Sequence, residues 1–171
     1  MKINYCCGRR VRDGWWNIDA VHNPKAQRAP DLIFAMRFNS DGTLLEPTPM
    51  PDGCADVVEA DHAIEHFHRW EAPQVIAEWR RLLKPGGLLI LELPNLESAC
   101  RNVLAGASDQ MGMWPLYGDP GHRDPYMIHR WAYTPKTIQE LLVGFRTIQM
   151  FRPVTHGARA DRDMRVEGTK C

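Results

Sequence analysis

The hydrophobic positions of this chain fall first into short runs separated by turn residues. KINYC, 2–6, predicts a strand, and Gly8 and Gly14 break the segment after it. WWNIDA, 15–20, predicts a second strand ended by HNPK, and PDLIFAM, 30–36, a third. Residues 39–53 are dense in turn formers and read as a loop with room for a small hairpin. ADVVEA, 55–60, predicts a fourth strand, in which Val57 and Val58 suit a buried sheet.

The period then changes. Val75, Ile76, Trp79, Leu82 and Leu83 share one helical face and predict a helix over 72–84, stopped by KPGG. LLILELP, 88–94, is a fifth strand of the fully buried kind. Asn95 is placed to cap a helix over 96–105, with Gly106 past its end. Thr134 and Pro135 open another helix that Gly144 ends, and 145–151 and 163–170 predict two closing strands joined by a polar link.

Strands alternating with helices imply an α/β fold: a mainly parallel sheet with helices on both faces. The length suits a single domain over 1–171. Ligands of such sheets bind beyond the carboxyl ends of the strands. That rule puts Cys7, Gly8, Asp19, Ala35, Met36, Asp61, His62 and Asn95 on one rim. The loop at 106–133 is long, rich in Trp and broken by Gly and Pro, and reads as a lid or substrate loop.

Charge narrows the partners. The formal net charge is zero, which argues against a general nucleic-acid binder. The charge is uneven: residues 41–71 hold eight Asp/Glu and one Arg, while residues 1–30 hold six Lys/Arg and two Asp. The five cysteines, Cys6, Cys7, Cys54, Cys100 and Cys171, form no CxxC, and reduced thiols in a cytoplasmic protein are expected. No signal peptide is expected from MKINYCCGRR, and no apolar run approaches the ~20 residues that cross a bilayer.

Three segments carry a family resemblance. INYCCGRRVRDGWWNIDA resembles the first motif and second strand of class I S-adenosylmethionine (SAM) methyltransferases, MPDGCADVVEADHAIEHF their fourth-strand motif, and VIAEWRRLLKPGGLLILELPN the helix, turn and fifth strand that follow. The likeness covers 2–95 in order and extends more loosely to 131–170. It implies a Rossmann-like seven-stranded sheet with a closing antiparallel strand pair, SAM as cofactor, and methyl transfer. By this resemblance Cys6, Cys7 and Gly8 form the cofactor loop, Asp19 takes the ribose hydroxyls, Ala35 and Met36 stand near the adenine, and Asp61 and His62 face the methionine part or the acceptor.

Two departures stand out. Cys6 occupies a position where the family has glycine, and Ala35 or Met36 replaces a polar residue that reaches the adenine. Because the first strand begins almost at residue 2, a partner subunit in a homo-oligomer or the 106–133 loop is expected to cover the cofactor.

His62-x-x-Glu65-His66 also spells an inverted zinc-peptidase motif. A zinc peptidase needs both histidines on one regular helix and a third ligand. The pattern gives 62–70 no such helix and marks neither Glu92 nor His122 as the third ligand, so no metal ligand is assigned. Glu65 and His66 are expected in a short helix that orients the turn after the fourth strand, with His68 facing solvent.

In the lid, Trp114, Tyr117, Asp119, His122, His129 and Trp131 suit a pocket for a small molecule or saccharide. His122, Asp119 and His129 are the candidate general bases on an acceptor hydroxyl. The reading is a SAM-dependent methyltransferase. The alternative is a non-catalytic binding or assembly module of the same fold, motivated by Cys6, Ala35 and Met36.

Overall fold

The computed structural model describes residues 1–107, 109–122, 124–155 and 161–171. Seven strands form one sheet: β1 (Lys2–Tyr5), β2 (Trp16–Asp19), β3 (Leu32–Ile33), β4 (Ala55–Asp61), β5 (Leu83–Pro94), β6 (Phe145–Phe151) and β7 (Asp163–Lys170). Their order is β3-β2-β1-β4-β5-β7-β6. β7 runs antiparallel to β5 and β6, and the other pairs are parallel. The chain builds outward from β1 to β3, then returns to place β4 on the other side of β1. The strand order therefore reverses between β1 and β4, where such sheets open a ligand crevice.

Among the described residues, four α-helices accompany the sheet: α1 (Ala72–Leu82), α2 (Leu96–Leu104), α3 (Trp114–Tyr117) and α4 (Pro135–Leu141). α1 buries Val75, Ile76, Trp79 and Leu82, the stripe read from the sequence. It stops at Leu82, because β5 begins there and carries KPGG within it. The Asn95 side chain caps α2 through Glu97 N–H, and Thr134 and Thr137 form a reciprocal capping box on α4. The third apolar run shrinks to a two-residue strand, and the hairpin expected in 39–53 reduces to one bridge, Phe38 to Leu44.

The two sheet faces differ. One presents Ile3, Tyr5, Ile18, Val58, Ala60, Leu89, Leu91, Leu93, Met164 and Val166, buried with Val75, Trp79 and Leu82 of α1 and Ile138 of α4. Alternation along the paired strands puts Asn17, Asn4, Glu59, Ile90 and Glu167 on the other face, with Asp61, Glu92 and Arg165 one pleat further on. The connections 6–15, 20–31 and 34–54 that would cover this face contain no helix. Loops and charged side chains cover it instead, and Asn4, Asn17, Glu59 and Glu92 are buried there. Among the described residues, no helix is long and apolar enough to cross a membrane.

Candidate functional site

The first loop leaves β1 through a tight left-handed turn. Cys6 has φ 55° and Gly8 φ 54°. Cysteine has a Cβ that this conformation crowds, so Cys6 is held there by its surroundings. Cys7 N–H donates to Ile18 O (3.1 Å), which extends the β1–β2 pairing into the loop. Gly8 N–H donates to Asp19 Oδ2 across 2.6 Å, and Val21 N–H reaches Asp19 Oδ1 at 3.3 Å. No atom lies within 4 Å of where a side chain of Gly8 would begin, so the space before this turn is open.

Sequence reasoning put Cys6, Cys7, Gly8 and Asp19 together, and they do form one corner. Burial first, and then the Asp19 charge, push the Cys7 thiol up to about 12, and Cys6 is likewise held well above the ordinary range by burial and Asp19. Both thiols are therefore held in the neutral form. Ala35 and Met36 follow β3 and are half-buried, with Met36 packed against the core.

Asp61 ends β4 and is held by groups the sequence did not mark. Arg12 bridges to Glu59 Oε2 (2.6 Å) and to Asp61 Oδ2 (2.9 Å). Thr155 Oγ1–H donates to the same Asp61 oxygen at 2.7 Å. Glu92, fully buried on β5, accepts from Val154 N–H (2.6 Å) and Thr155 N–H (2.8 Å) and pairs with Arg165 (3.3 Å). The segment after β6 thus straps across the ends of β5 and β4, and Arg10 touches it from the first loop at Thr155 O (3.4 Å). Residues 156–160 of the polar link between the last two strands lie outside the described residues. Asp61 Oδ1 is buried with no hydrogen-bond partner. Burial, and then the neighbouring Glu59 and Glu92 charges, raise this carboxyl despite Thr155 and Arg12.

His62 has φ 51° and does not belong to a helix. Its Nδ1 lies 3.0 Å from Glu65 Oε1 and its Nε2 3.3 Å from Asp163 Oδ2, which Arg162 also pairs. Burial alone would lower its pKa, but Asp163 and Glu65 hold it up at about 9. The imidazolium is therefore locked between two carboxylates and is not a free ligand for metal. Glu65 and His66 lie in a 3₁₀ turn, Ile64–His66. Burial pushes the Glu65 carboxyl up, and the His62 bond and charge outweigh it to bring the group down to about 2. His68 is half-buried rather than free in solvent, because its ring stacks on Trp70 at 4.5 Å.

The lid candidates separate into two groups. Asp119 and His122 sit on a turn where His122 N–H donates to Asp119 O (3.0 Å), and their side chains stand 4.0 Å apart with solvent access. His129 is elsewhere: its ring meets that of His66 edge-on at 4.8 Å, and its Nδ1 lies 2.9 Å from Pro115 O. Arg130 N–H, at 2.8 Å, fastens the end of the lid to Glu65 O.

Comparison with known proteins agrees with this architecture. Residues 20–91, under half of the chain, match the family model described as a methyltransferase domain. A dimethylglycine N-methyltransferase of Parasynechococcus marenigrum (strain WH8102) is 35% identical over 79 residues, 46% of this chain. The chain spans only 20% and 28% of the lengths of two curated relatives it matches. The PH0226 protein of Pyrococcus horikoshii OT3 superposes with a TM-score of 0.63 over 99% of this chain and 81% of that one, at 16% identity. A Burkholderia thailandensis 1,6-didemethyltoxoflavin-N1-methyltransferase, solved with its acceptor and S-adenosylhomocysteine, superposes with a TM-score of 0.58 over 99% of this chain and 70% of that one, also at 16% identity. The chain has the class I methyltransferase fold and carries a methyltransferase-domain sequence signature.

Proposed function

We propose that this chain uses SAM to methylate a small-molecule or saccharide acceptor held beneath the 106–133 loop. The observation that carries the reading is the corner between Gly8 and Asp19, set beside the point where the strand order reverses. The residues present fit the cofactor. The open space before Gly8 admits a ligand close to the backbone. Asp19, fixed by Gly8 and Val21, is half-exposed and can accept two ribose hydroxyls. Asp61 Oδ1 is a buried acceptor without a donor, suited to an ammonium group.

The bound cofactor would supply a methyl group already activated on a sulfonium. The protein's part is then to bind, orient and exclude water. Gly8, Asp19 and Asp61 bind. Cys6 and Cys7 line the corner as neutral thiols. Ala35 and Met36 offer apolar contact on the adenine side, and His62 keeps the turn after β4 in place. The lid covers the acceptor. We assign proton removal from an acceptor hydroxyl to His122, with Asp119 beside it, because both remain accessible on the lid turn. His129 is assigned to holding the lid.

Calorimetric titration with S-adenosylhomocysteine tests the cofactor site, and micromolar binding is the expected result. His122→Asn then separates the roles. It should leave that affinity unchanged while slowing methyl transfer to a hydroxyl acceptor about 10²-fold. One observation favours a second reading, a non-catalytic module: Cys6 places a Cβ in the left-handed turn where the family has glycine. Absence of binding up to millimolar ligand would decide for that reading.

A further inference from the structure

Beside the proposed cofactor corner, Glu65, His66 and His129 converge. One ligand atom from each lies within 4.8 Å of the others. Glu65 is 1% exposed, and its Oε2 is buried with no hydrogen-bond partner. Its other oxygen is engaged by His62, so the unsatisfied oxygen is the one left to the cluster. A buried carboxylate oxygen without a donor is costly unless it serves a ligand.

The histidines are prepared from outside the cluster. His66 Nδ1 lies 3.2 Å from Ile128 O, and His129 Nδ1 lies 2.9 Å from Pro115 O. Each carbonyl can only accept, so each Nδ1 is the donor, which leaves Nε2 as the nitrogen available to a ligand. Metal-binding histidines are oriented this way, by a backbone carbonyl on the second nitrogen. The Tyr133 hydroxyl, near enough to feel the Glu65 charge, is also buried without a partner.

We propose that Glu65, His66 and His129 form a binding site for one divalent transition metal of the zinc class. Two neutral imidazoles and one carboxylate are a donor set for such ions, and three protein ligands leave a position for water or another oxygen donor. Ligand atoms around such an ion stand roughly 3–3.5 Å apart, so binding contracts the cluster. The contraction draws His129, on the lid, toward Glu65 and His66, on the rim after β4. The metal fastens the lid at the point where Arg130 N–H already meets Glu65 O. This site differs from the His62/His66 pairing of the peptidase motif, since His62 is spent on Glu65 and Asp163. It does not depend on the SAM reading.

The test uses the full chain, stripped with chelator and kept reduced. Zinc uptake is followed by competition with a chromophoric chelator, and cobalt is added in parallel to report the ligand type. One zinc per chain is expected, with cobalt absorption lacking thiolate charge-transfer bands. His129→Ala, a half-buried lid position, and His66→Ala should each weaken zinc binding about tenfold or more, with circular dichroism showing the fold retained. Failure to take up stoichiometric zinc overturns the proposal. So does unchanged binding in folded His129→Ala, or thiolate bands that would assign the metal to cysteines.

Discussion

Gly8 N–H and Asp19 Oδ2 stand 2.6 Å apart, so a charge-assisted hydrogen bond adds to the Cys7–Ile18 backbone bond in fastening the loop leaving β1 to the end of β2. On the proposed reading the carboxylate has two duties: it shapes the loop, and it takes the ribose of the cofactor. Asp19→Ala removes both. Such a bond is worth roughly 1.5–3 kcal/mol, so S-adenosylhomocysteine affinity should fall at least about tenfold. Titration of the variant checks this, and unchanged affinity would mean that the ligand binds elsewhere.

Arg12 stabilises the sheet from its polar face. Its guanidinium meets Glu59 and Asp61, whose side chains are each 8% exposed. Arg12→Ala takes the guanidinium from two carboxylates in a poorly solvated place, leaving Asp61 with the Thr155 hydroxyl and Glu59 with Arg165 at 3.6 Å. Breaking a buried ion pair from one side costs roughly 3–5 kcal/mol. The Arg12 side chain is itself 27% exposed, so the expected loss is toward the lower end, about 3 kcal/mol. Urea unfolding should show it as a lower midpoint with the same slope. Arg37→Ala, which removes an ion pair to Glu46 that lies in open solvent, should leave the midpoint where it is.

These two sites mark what the sequence makes legible. The strands were readable because their apolar runs are short and bounded by Gly and Pro, and α1 because its stripe is regular. The corner of Cys6, Gly8 and Asp19 was readable through the family resemblance. The missing helices were not anticipated, although 6–15 and 20–31 have no apolar stripe to build one. The polar sheet face had a signal: Glu59 and Glu92 interrupt apolar strands at positions that share one face. Arg12, Arg165 and Thr155 had none, because pairing across 47 to 94 residues depends on topology. Glu65, His66 and His129 were each noticed, but His66 and His129 lie on segments that only the folded lid brings together.

Trp79 is the largest fully buried side chain, set against Tyr5 with ring centroids 5.8 Å apart. Its indole nitrogen has no partner, so its contribution comes from packing. Trp79→Ala should therefore cost about 3–5 kcal/mol, the range for emptying an aromatic site. Trp79→Phe keeps much of the volume and removes the unpaired N–H. It should recover more than half of that loss. Denaturant midpoints of the two variants measure the difference, and equal losses would show that the nitrogen matters after all.

The thiols should divide by environment. Cys100 and Cys171 are exposed, Cys54 is half-buried, and Cys6 and Cys7 lie in the corner beside Asp19. The reactive species is the thiolate. An ordinary thiol, with a pKa near ~8.5, is about a quarter ionised at pH 8. Cys7, pushed up to about 12 by burial and Asp19, is ionised at roughly one part in 10⁴. Two thiols should label quickly at pH 8, with the Cys7 phase slower by roughly three orders of magnitude. The sign with pH also follows. From pH 8 to pH 9 the Cys7 phase should rise about tenfold, because pH 9 is still far below the pKa of its thiol. Asp19→Asn, which removes the nearby negative charge, should quicken the Cys7 phase without touching Cys100 or Cys171. Labelling followed by peptide mass spectrometry assigns each phase, and a Cys6 or Cys7 adduct in the fast phase would show that burial and Asp19 do not hold these thiols in the neutral form.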